Sequence, residues 1–131
     1  MNRIRILCVG KLKDRCWIEA AAEYEKRLAR FCPPEIVELP DERAPETLSA
    51  AQERQILRRE GERILNRIGE RAHVIALCVD GRPLSSEAFA ARLGALLDGG
   101  RTVEFVIGGS LGLDAAVLAR ADERLSVSAM T

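Results

Sequence analysis

The segment best suited to ligand chemistry is the glycine-rich stretch Gly108-Gly109-Ser110-Leu111-Gly112, which directly follows an apolar run at residues 103–107. Glycines after a strand expose backbone amides, and at the start of a helix such amides can bind phosphate. The stretch matches neither the G-x-x-x-x-G-K-S/T spacing nor the G-x-G-x-x-G spacing of nucleotide-binding loops. It therefore indicates either a loop that contacts a ligand through its backbone or a tight turn whose glycines adopt positive φ.

Two more segments of mostly small or apolar residues occur at the ends of apolar runs, at residues 77–81 and 127–131. Ligands of open parallel sheets bind at the carboxyl ends of the strands, so the three segments are candidates for the lining of one pocket. None of them places a nucleophile beside a base. This composition favours a ligand held by main-chain groups and apolar contact, and it disfavours a hydrolase triad.

Two charged regions leave alternatives open. Lys11 and Lys13 follow the first apolar run, where they either meet a phosphate backbone or solubilise a loop. Residues 50–68 carry a narrow apolar stripe among many charges, which indicates either a solvated, ion-paired helix face or a surface that contacts RNA. The charged residues opposite that stripe are Glu53, Arg54, Arg58, Arg59, Glu60, Glu62, Arg63 and Arg67.

The composition is that of an ordinary globular protein: 131 residues, 47% of them hydrophobic, with 20 basic and 20 acidic side chains. A net charge of zero provides no general attraction to free nucleic acid. The four cysteines form no C-x-x-C pair and His73 is the single histidine, so the sequence indicates reduced thiols and no metal site. We recognise no signal peptide and no apolar run near the roughly 20 residues that span a bilayer.

Apolar runs alternate with amphipathic stretches and predict the element order βαβαβαβαβ. This order is typical of an α/β fold with a mainly parallel sheet, and we expect residues 1–131 to form one domain. The Asp80-Gly81 pair predicts a turn that ends the third strand. The predicted strands are residues 4–9, 35–39, 73–79, 103–107 and 125–127, and the predicted helices begin near Asp14, Ala50, Ser85 and Leu113. Apolar residues at helical spacing are Trp17, Ile18, Ala21, Tyr24, Leu28 and Phe31 in the first helix, and Phe89, Leu93 and Leu97 in the third.

Several short motifs occur together, in the order found in one known family. They are Val9-Gly10-Lys11-Leu12-Lys13, Glu23-Tyr24-Glu25-Lys26-Arg27-Leu28, Pro40-Asp41-Glu42, Glu60-Gly61, Leu84-Ser85-Ser86-Glu87, Phe105-Val106-Ile107-Gly108-Gly109-Ser110-Leu111-Gly112 and Leu125-Ser126-Val127-Ser128-Ala129-Met130-Thr131. On these motifs the chain resembles the RlmH (YbeA-type) family of large-subunit rRNA pseudouridine N3-methyltransferases, which belongs to the SPOUT class. Each motif is weak alone, but their joint order from Ile4 to Thr131 is specific.

The resemblance implies a SPOUT α/β-knot fold with a mainly parallel sheet and helices on both faces. It also implies S-adenosylmethionine as cofactor, a cytoplasmic homodimer, and a pseudouridine of 23S rRNA in the assembled ribosome as substrate. The cofactor-binding residues that it implies by position are Leu77, Gly108, Gly109, Ser128, Ala129, Met130 and Thr131. Methyl transfer is an in-line displacement, so such an enzyme positions donor and acceptor and needs a base or a cation near the attacking nitrogen.

The chain departs from the family pattern after Met130-Thr131, where members continue with a Pro-His turn, a long helix and a Tyr-His-Arg or similar tail. That segment closes the knot, forms much of the dimer contact and carries the substrate-side residues. For a polypeptide that ends at Thr131 we therefore expect very weak cofactor binding, no turnover, and an apolar contact surface over the strands that end at Ile107 and Val127. Two alternatives stay open: a catalytically inactive ribosome-binding module of the same fold, and a small nucleotide-binding domain of flavodoxin type.

Overall fold

A computed structural model describes residues 3–43 and 46–130. Within these ranges five strands alternate with four helices, which confirms the predicted element order. A short 3-10 turn follows the last strand. The elements are β1 (Arg3–Val9), α1 (Arg15–Leu28), β2 (Pro34–Leu39), α2 (Ala50–Arg67), β3 (His73–Pro83), α3 (Ser86–Asp98), β4 (Thr102–Ile107), α4 (Ala115–Arg120), β5 (Glu123–Ser126) and the 3-10 turn (Ser128–Met130).

The strands form a five-stranded sheet in the order β2-β1-β4-β3-β5, and each described pairing is parallel. The helices supply the crossovers that parallel neighbours require. This order differs from the 2-1-3-4-5 order of flavodoxin-like sheets, which argues against the flavodoxin-type alternative. Because β4, β3 and β5 are neighbours, the three segments predicted to contact a ligand belong to or follow three adjacent strands.

The apolar core lies on both faces of the sheet, as expected for parallel strands covered by helices. On one face Leu7 of β1 packs in a cluster with Ile64 of α2 and Val117 of α4. On the other face Phe105 of β4 packs in a second cluster with Leu96 of α3. These two clusters hold α2, α3 and α4 against the sheet and thereby fix the loops at the carboxyl ends of the strands.

Apart from the end of the third strand, the boundaries of the elements agree with the prediction within a few residues. Phe89, Leu93 and Leu97 pack against the second cluster as predicted, although Leu96 is the residue of α3 that is buried. β5 ends at Ser126, so residue 127 lies outside the strand. Among the helices of the described residues, none is long and apolar enough to cross a membrane.

The third strand does not end at the predicted turn. Leu77 of β3 pairs with Leu125 of β5, the chain then departs from the ladder, and Arg82 pairs with the same Leu125. Gly81 permits this return, since a Cβ on it would lie 2.6 Å from the carbonyl carbon of Leu125. The turn is therefore a local irregularity inside a longer strand, because pairing with β5 resumes after it.

The first helix has an apolar stripe that the rest of the described chain does not cover. No residue of α1 is buried, and Trp17 and Tyr24 are 60% and 62% exposed. Phe31, shortly after the helix, is 78% exposed. An amphipathic helix normally buries such a stripe against a core. The stripe of α1 is therefore an apolar surface open to contact.

One charged residue of α2 does not lie on a solvated face. Glu60 is only 5% exposed and precedes the buried Ile64 by one turn. Its assignment to the solvated helix face is therefore wrong. The helix comes close to the start of α4 at the next residue, because a Cβ on Gly61 would lie 2.9 Å from the Cβ of Asp114. This close approach leaves the neighbouring carboxylate little access to solvent.

Candidate functional site

The structure brings the predicted residues of β3 and of the segment after β5 together at one edge of the sheet. Leu77 pairs with Leu125 across the β3–β5 ladder. Leu77 and Met130 pack against the same apolar cluster. Ser128, Ala129 and Met130 form the 3-10 turn that follows β5. Thr131 lies outside the described residues.

The predicted glycines lie at the same edge, after the neighbouring strand. β3 and β4 pair in register from His73–Val103 to Ala76–Val106, so Leu77 continues this register level with Ile107, and Gly108 follows one residue later. The structure thus places five of the seven predicted cofactor-binding residues directly after β4 or β5, namely Gly108, Gly109, Ser128, Ala129 and Met130. A sixth, Leu77, lies in the neighbouring β3, just before the irregularity in that strand.

The glycine-rich stretch forms a closed turn in which the glycines have different tasks. The Gly112 N–H donates to the Gly109 carbonyl at 3.0 Å, and Gly112 has a φ of +86°. Gly108 has no positive φ, but a Cβ on it would lie 2.3 Å from the Gly112 carbonyl oxygen. Gly112 is a glycine because its φ is positive, whereas Gly108 is a glycine because the turn packs too closely there for a side chain.

The turn after β5 is held by short-range hydrogen bonds. The hydroxyls of Ser126 and Ser128 lie 3.0 Å apart, and the Ser128 N–H donates to the Ser126 hydroxyl at 3.4 Å. The Met130 N–H donates to the Val127 carbonyl at 3.0 Å. These bonds define the shape of the main chain at this edge.

The thiols near this edge are not activated nucleophiles. Burial, and to a smaller degree the nearby Glu38, raise the pKa of the Cys8 thiol above its ordinary value. Burial and Asp80 likewise raise the pKa of the Cys78 thiol. A thiol must ionise to attack, so both side chains remain protonated at neutral pH. Among the described residues, no three His, Cys, Asp or Glu side chains are grouped so that they could hold a metal ion.

Two cavities lie away from the predicted site. A groove of about 790 Å³ is lined by residues that include Arg5, Arg71, Arg101 and Glu104. These residues lie at or near the amino ends of the strands, at the edge opposite the predicted site. Its arginines face two glutamates in the same lining, and one of them, Glu104, is already bonded to Arg5.

A smaller cavity of about 160 Å³ lies between α3, β3 and β5, and Arg92 and Glu123 are among its lining residues. Glu123 Oε2 accepts hydrogen bonds from Arg92, and the same oxygen contacts the His73 ring. Burial raises the pKa of Glu123, but the hydrogen bonds from Arg92 and His73 outweigh it, so the pKa is below its ordinary value. This cluster stabilises the contact between α3 and the sheet.

Glu60 lies beside the site but was not among the predicted site residues, although Glu60-Gly61 is one of the motifs on which the family resemblance rests. A Cβ on Gly109 would lie 3.2 Å from Glu60 Oε1, so this buried carboxylate lies against the glycine turn. Its other oxygen accepts the Glu42 N–H at 3.0 Å. The sequence indicated the burial of Glu60 only through its spacing, because Glu60 precedes the apolar Ile64 by one helical turn and so lies on the same face of the helix.

The whole chain is similar to known methyltransferases. Residues 2–131 match a family model described as "Predicted SPOUT methyltransferase". Over 129 residues the chain is 52% identical to the ribosomal RNA large subunit methyltransferase H of Listeria monocytogenes serotype 4b (strain CLIP80459). It is 50% identical over the same length to the protein of that name from Limosilactobacillus reuteri (strain DSM 20016), and 46% identical to that from Leuconostoc citreum (strain KM20). Each alignment covers 98% of this chain and 81% of the relative.

Proposed function

Because the chain belongs to the SPOUT methyltransferase family, we propose that it methylates N3 of a pseudouridine in 23S rRNA of the large ribosomal subunit, with S-adenosylmethionine as donor. The observation that carries this proposal is the identity of 46% to 52%, over 98% of the chain, with proteins named ribosomal RNA large subunit methyltransferase H. Ribosomes are cytoplasmic, so the proposed activity also implies a cytoplasmic protein.

The predicted site fits the proposed cofactor. S-Adenosylmethionine offers a flat aromatic adenine whose faces suit apolar contact, hydrogen-bonding ribose and amino-acid groups, and a positively charged sulfonium. The edge formed by Leu77, the glycine turn and the turn that ends at Met130 offers apolar contact and closely packed main chain, with no cationic side chain among its predicted residues. A site without a cation suits a ligand whose reactive centre is itself positive.

The residues that would hold the donor are Leu77, Gly108, Gly109, Ser128, Ala129, Met130 and Thr131. When bound, the donor supplies an electrophilic methyl group. The chain's contribution is to fix that group's position and to exclude water around it, which the ordered turns and the apolar packing of Leu77 and Met130 support. A base for the proton on the attacking nitrogen is not assigned to any residue.

Ribosome methylation tests the proposed function. The product of the complete gene is incubated with the radiolabelled donor and large ribosomal subunits from cells that lack this modification. We expect one methyl group per subunit, recovered as N3-methylpseudouridine after nuclease digestion. Binding to the subunits without methyl transfer would instead support the inactive ribosome-binding module.

The proposal includes a homodimer, supported by the uncovered apolar stripe of α1. Trp17 and Tyr24 are more than half exposed, and apolar patches of this kind are typical of protein interfaces. We expect sedimentation equilibrium to give twice the mass of one chain. Tyr24→Glu should shift the mass towards one chain, whereas Ala91→Glu on the exposed surface of α3 should leave it unchanged. A wild-type monomer would contradict the dimer.

A further inference from the structure

Glu60 is a buried carboxylate that contacts two loops at the carboxyl edge of the sheet. It is 5% exposed, in a helix whose other charged residues are mostly exposed. Burying an isolated carboxylate costs free energy. A buried carboxylate is therefore expected where its hydrogen bonds hold neighbouring segments of the chain in one arrangement. Its surroundings therefore indicate what it fixes.

The first contact is with the loop that follows β2. Glu60 Oε2 accepts the Glu42 N–H at 3.0 Å. One turn further along the same helix, Arg63 donates to the Pro40 carbonyl at 2.9 Å and to Glu42 Oε1 at 2.7 Å. Residues 40–42 are thus held to α2 by hydrogen bonds with two side chains of that helix.

The second contact is with the glycine turn. A Cβ on Gly109 would lie 3.2 Å from Glu60 Oε1, which is closer than ordinary van der Waals contact, and 3.4 Å from Oε2. Val9 contacts the same position from β1, at 3.3 Å. A side chain at residue 109 would therefore require Glu60 or Val9 to shift by a few tenths of an ångström.

We propose that Glu60 is a positioning residue for the methyl-donor site, which joins the β2–α2 loop at residues 40–42 to the glycine turn at residues 108–112. The proposal rests on the proposed function, because the turn is part of the site assigned to S-adenosylmethionine. Glu60 does not touch the reacting atoms in this assignment. Instead, it holds the main chain of Gly109 and the loop that contains Glu42 in place.

This role is tested by measuring, in three variants, the affinity for the donor and the rate of amide hydrogen exchange in the loop. In Glu60→Ala, we expect the dissociation constant for S-adenosylmethionine to rise about tenfold or more, because the turn loses its support. We also expect amide exchange at Glu42 in the donor-free protein to accelerate about tenfold, because its N–H loses its acceptor. Glu60→Gln keeps the volume and one acceptor oxygen, so it should retain near wild-type affinity and turnover. Glu62→Ala, at an exposed position of the same helix, is the matched control and should change neither quantity.

A double-mutant cycle with Gly109→Ala separates positioning from a general loss of stability. Gly109→Ala alone should weaken donor binding because the added methyl meets the carboxylate. In the Glu60→Ala background the methyl no longer meets the carboxylate and only the contact with Val9 remains, so its effect on the dissociation constant should be several-fold smaller. Two additive effects, or unchanged donor affinity in Glu60→Ala, would overturn the proposal. Loss of turnover in Glu60→Gln with normal donor affinity would overturn it as well, in favour of a proton acceptor. All of these variants are made in the product of the complete gene. If its wild type fails to bind the donor, the proposed function fails, while the exchange at Glu42 still tests the link between helix and loop.

Discussion

Gly108→Ala is expected to weaken S-adenosylmethionine binding about 100-fold or more, because misplacing a binding loop by about 1 Å has effects of this size. The added Cβ would lie 2.3 Å from the Gly112 carbonyl oxygen and 2.5 Å from its carbon, so the turn cannot close in its present shape. Both atoms belong to the main chain, so no side-chain rotation relieves the contact. Calorimetric titration with the donor measures the effect.

Two other glycines provide graded controls for this variant. Gly94 lies in α3, and a Cβ added there would meet no atom within 4 Å, so Gly94→Ala should leave donor binding unchanged and stabilise the helix by about 0.5–1 kcal/mol. Gly112→Ala also meets no atom within 4 Å but imposes positive φ on alanine, so it should cost about 1–2 kcal/mol of stability. Wild-type donor affinity in Gly108→Ala would show that the turn does not contact the donor.

Arg5→Ala is expected to lower the free energy of unfolding by about 3–5 kcal/mol, because it leaves a buried charge without its partner. Arg5 Nη1 donates to Glu104 Oε2 at 2.7 Å, and Glu104 is 1% exposed. The remaining hydrogen bond to that carboxylate comes from the Gly69 N–H at 3.2 Å. Urea unfolding monitored by circular dichroism measures the loss, which is a large share of the roughly 5–15 kcal/mol typical of a domain.

The double variant Arg5→Ala with Glu104→Gln checks the cause of that loss. Removing the charge of Glu104 should recover part of the stability, because a neutral amide is cheaper to bury than an unpaired carboxylate. Arg15→Ala is the control, since its ion pair with Glu19 joins side chains that are 91% and 65% exposed and should contribute less than about 1 kcal/mol. A loss below about 1 kcal/mol in Arg5→Ala would show that the buried pair is not an important support.

The order of strands and helices could be predicted because each parallel strand is buried on both faces and so appears as a continuous apolar run. The meeting of the three ligand segments followed from the same reasoning, since strand ends in such sheets share an edge. The arrangement of the strands within the sheet could not be predicted from the apolar runs. The resumption of β3 after its turn depends on pairing with β5, and that contact is tertiary.

The exposure of α1 and the burial of Glu60 also lay beyond the sequence pattern. Amphipathic spacing shows that a helix has an apolar face but does not show what covers that face, as Trp17 and Tyr24 demonstrate. A glutamate among many exposed charges is normally solvated. Its burial depends on Gly61, which brings α2 close to Asp114, and on the acceptor that the Glu42 N–H requires.

The central claim is that main-chain turns at the ends of β4, β3 and β5 hold the methyl donor. A crystal structure of the complete gene product with S-adenosylmethionine tests it most directly. The account predicts donor density in contact with Leu77, Gly108 and Met130. Density confined to the groove beside Arg71 and Arg101, or a donor that leaves the glycine turn untouched, would contradict it.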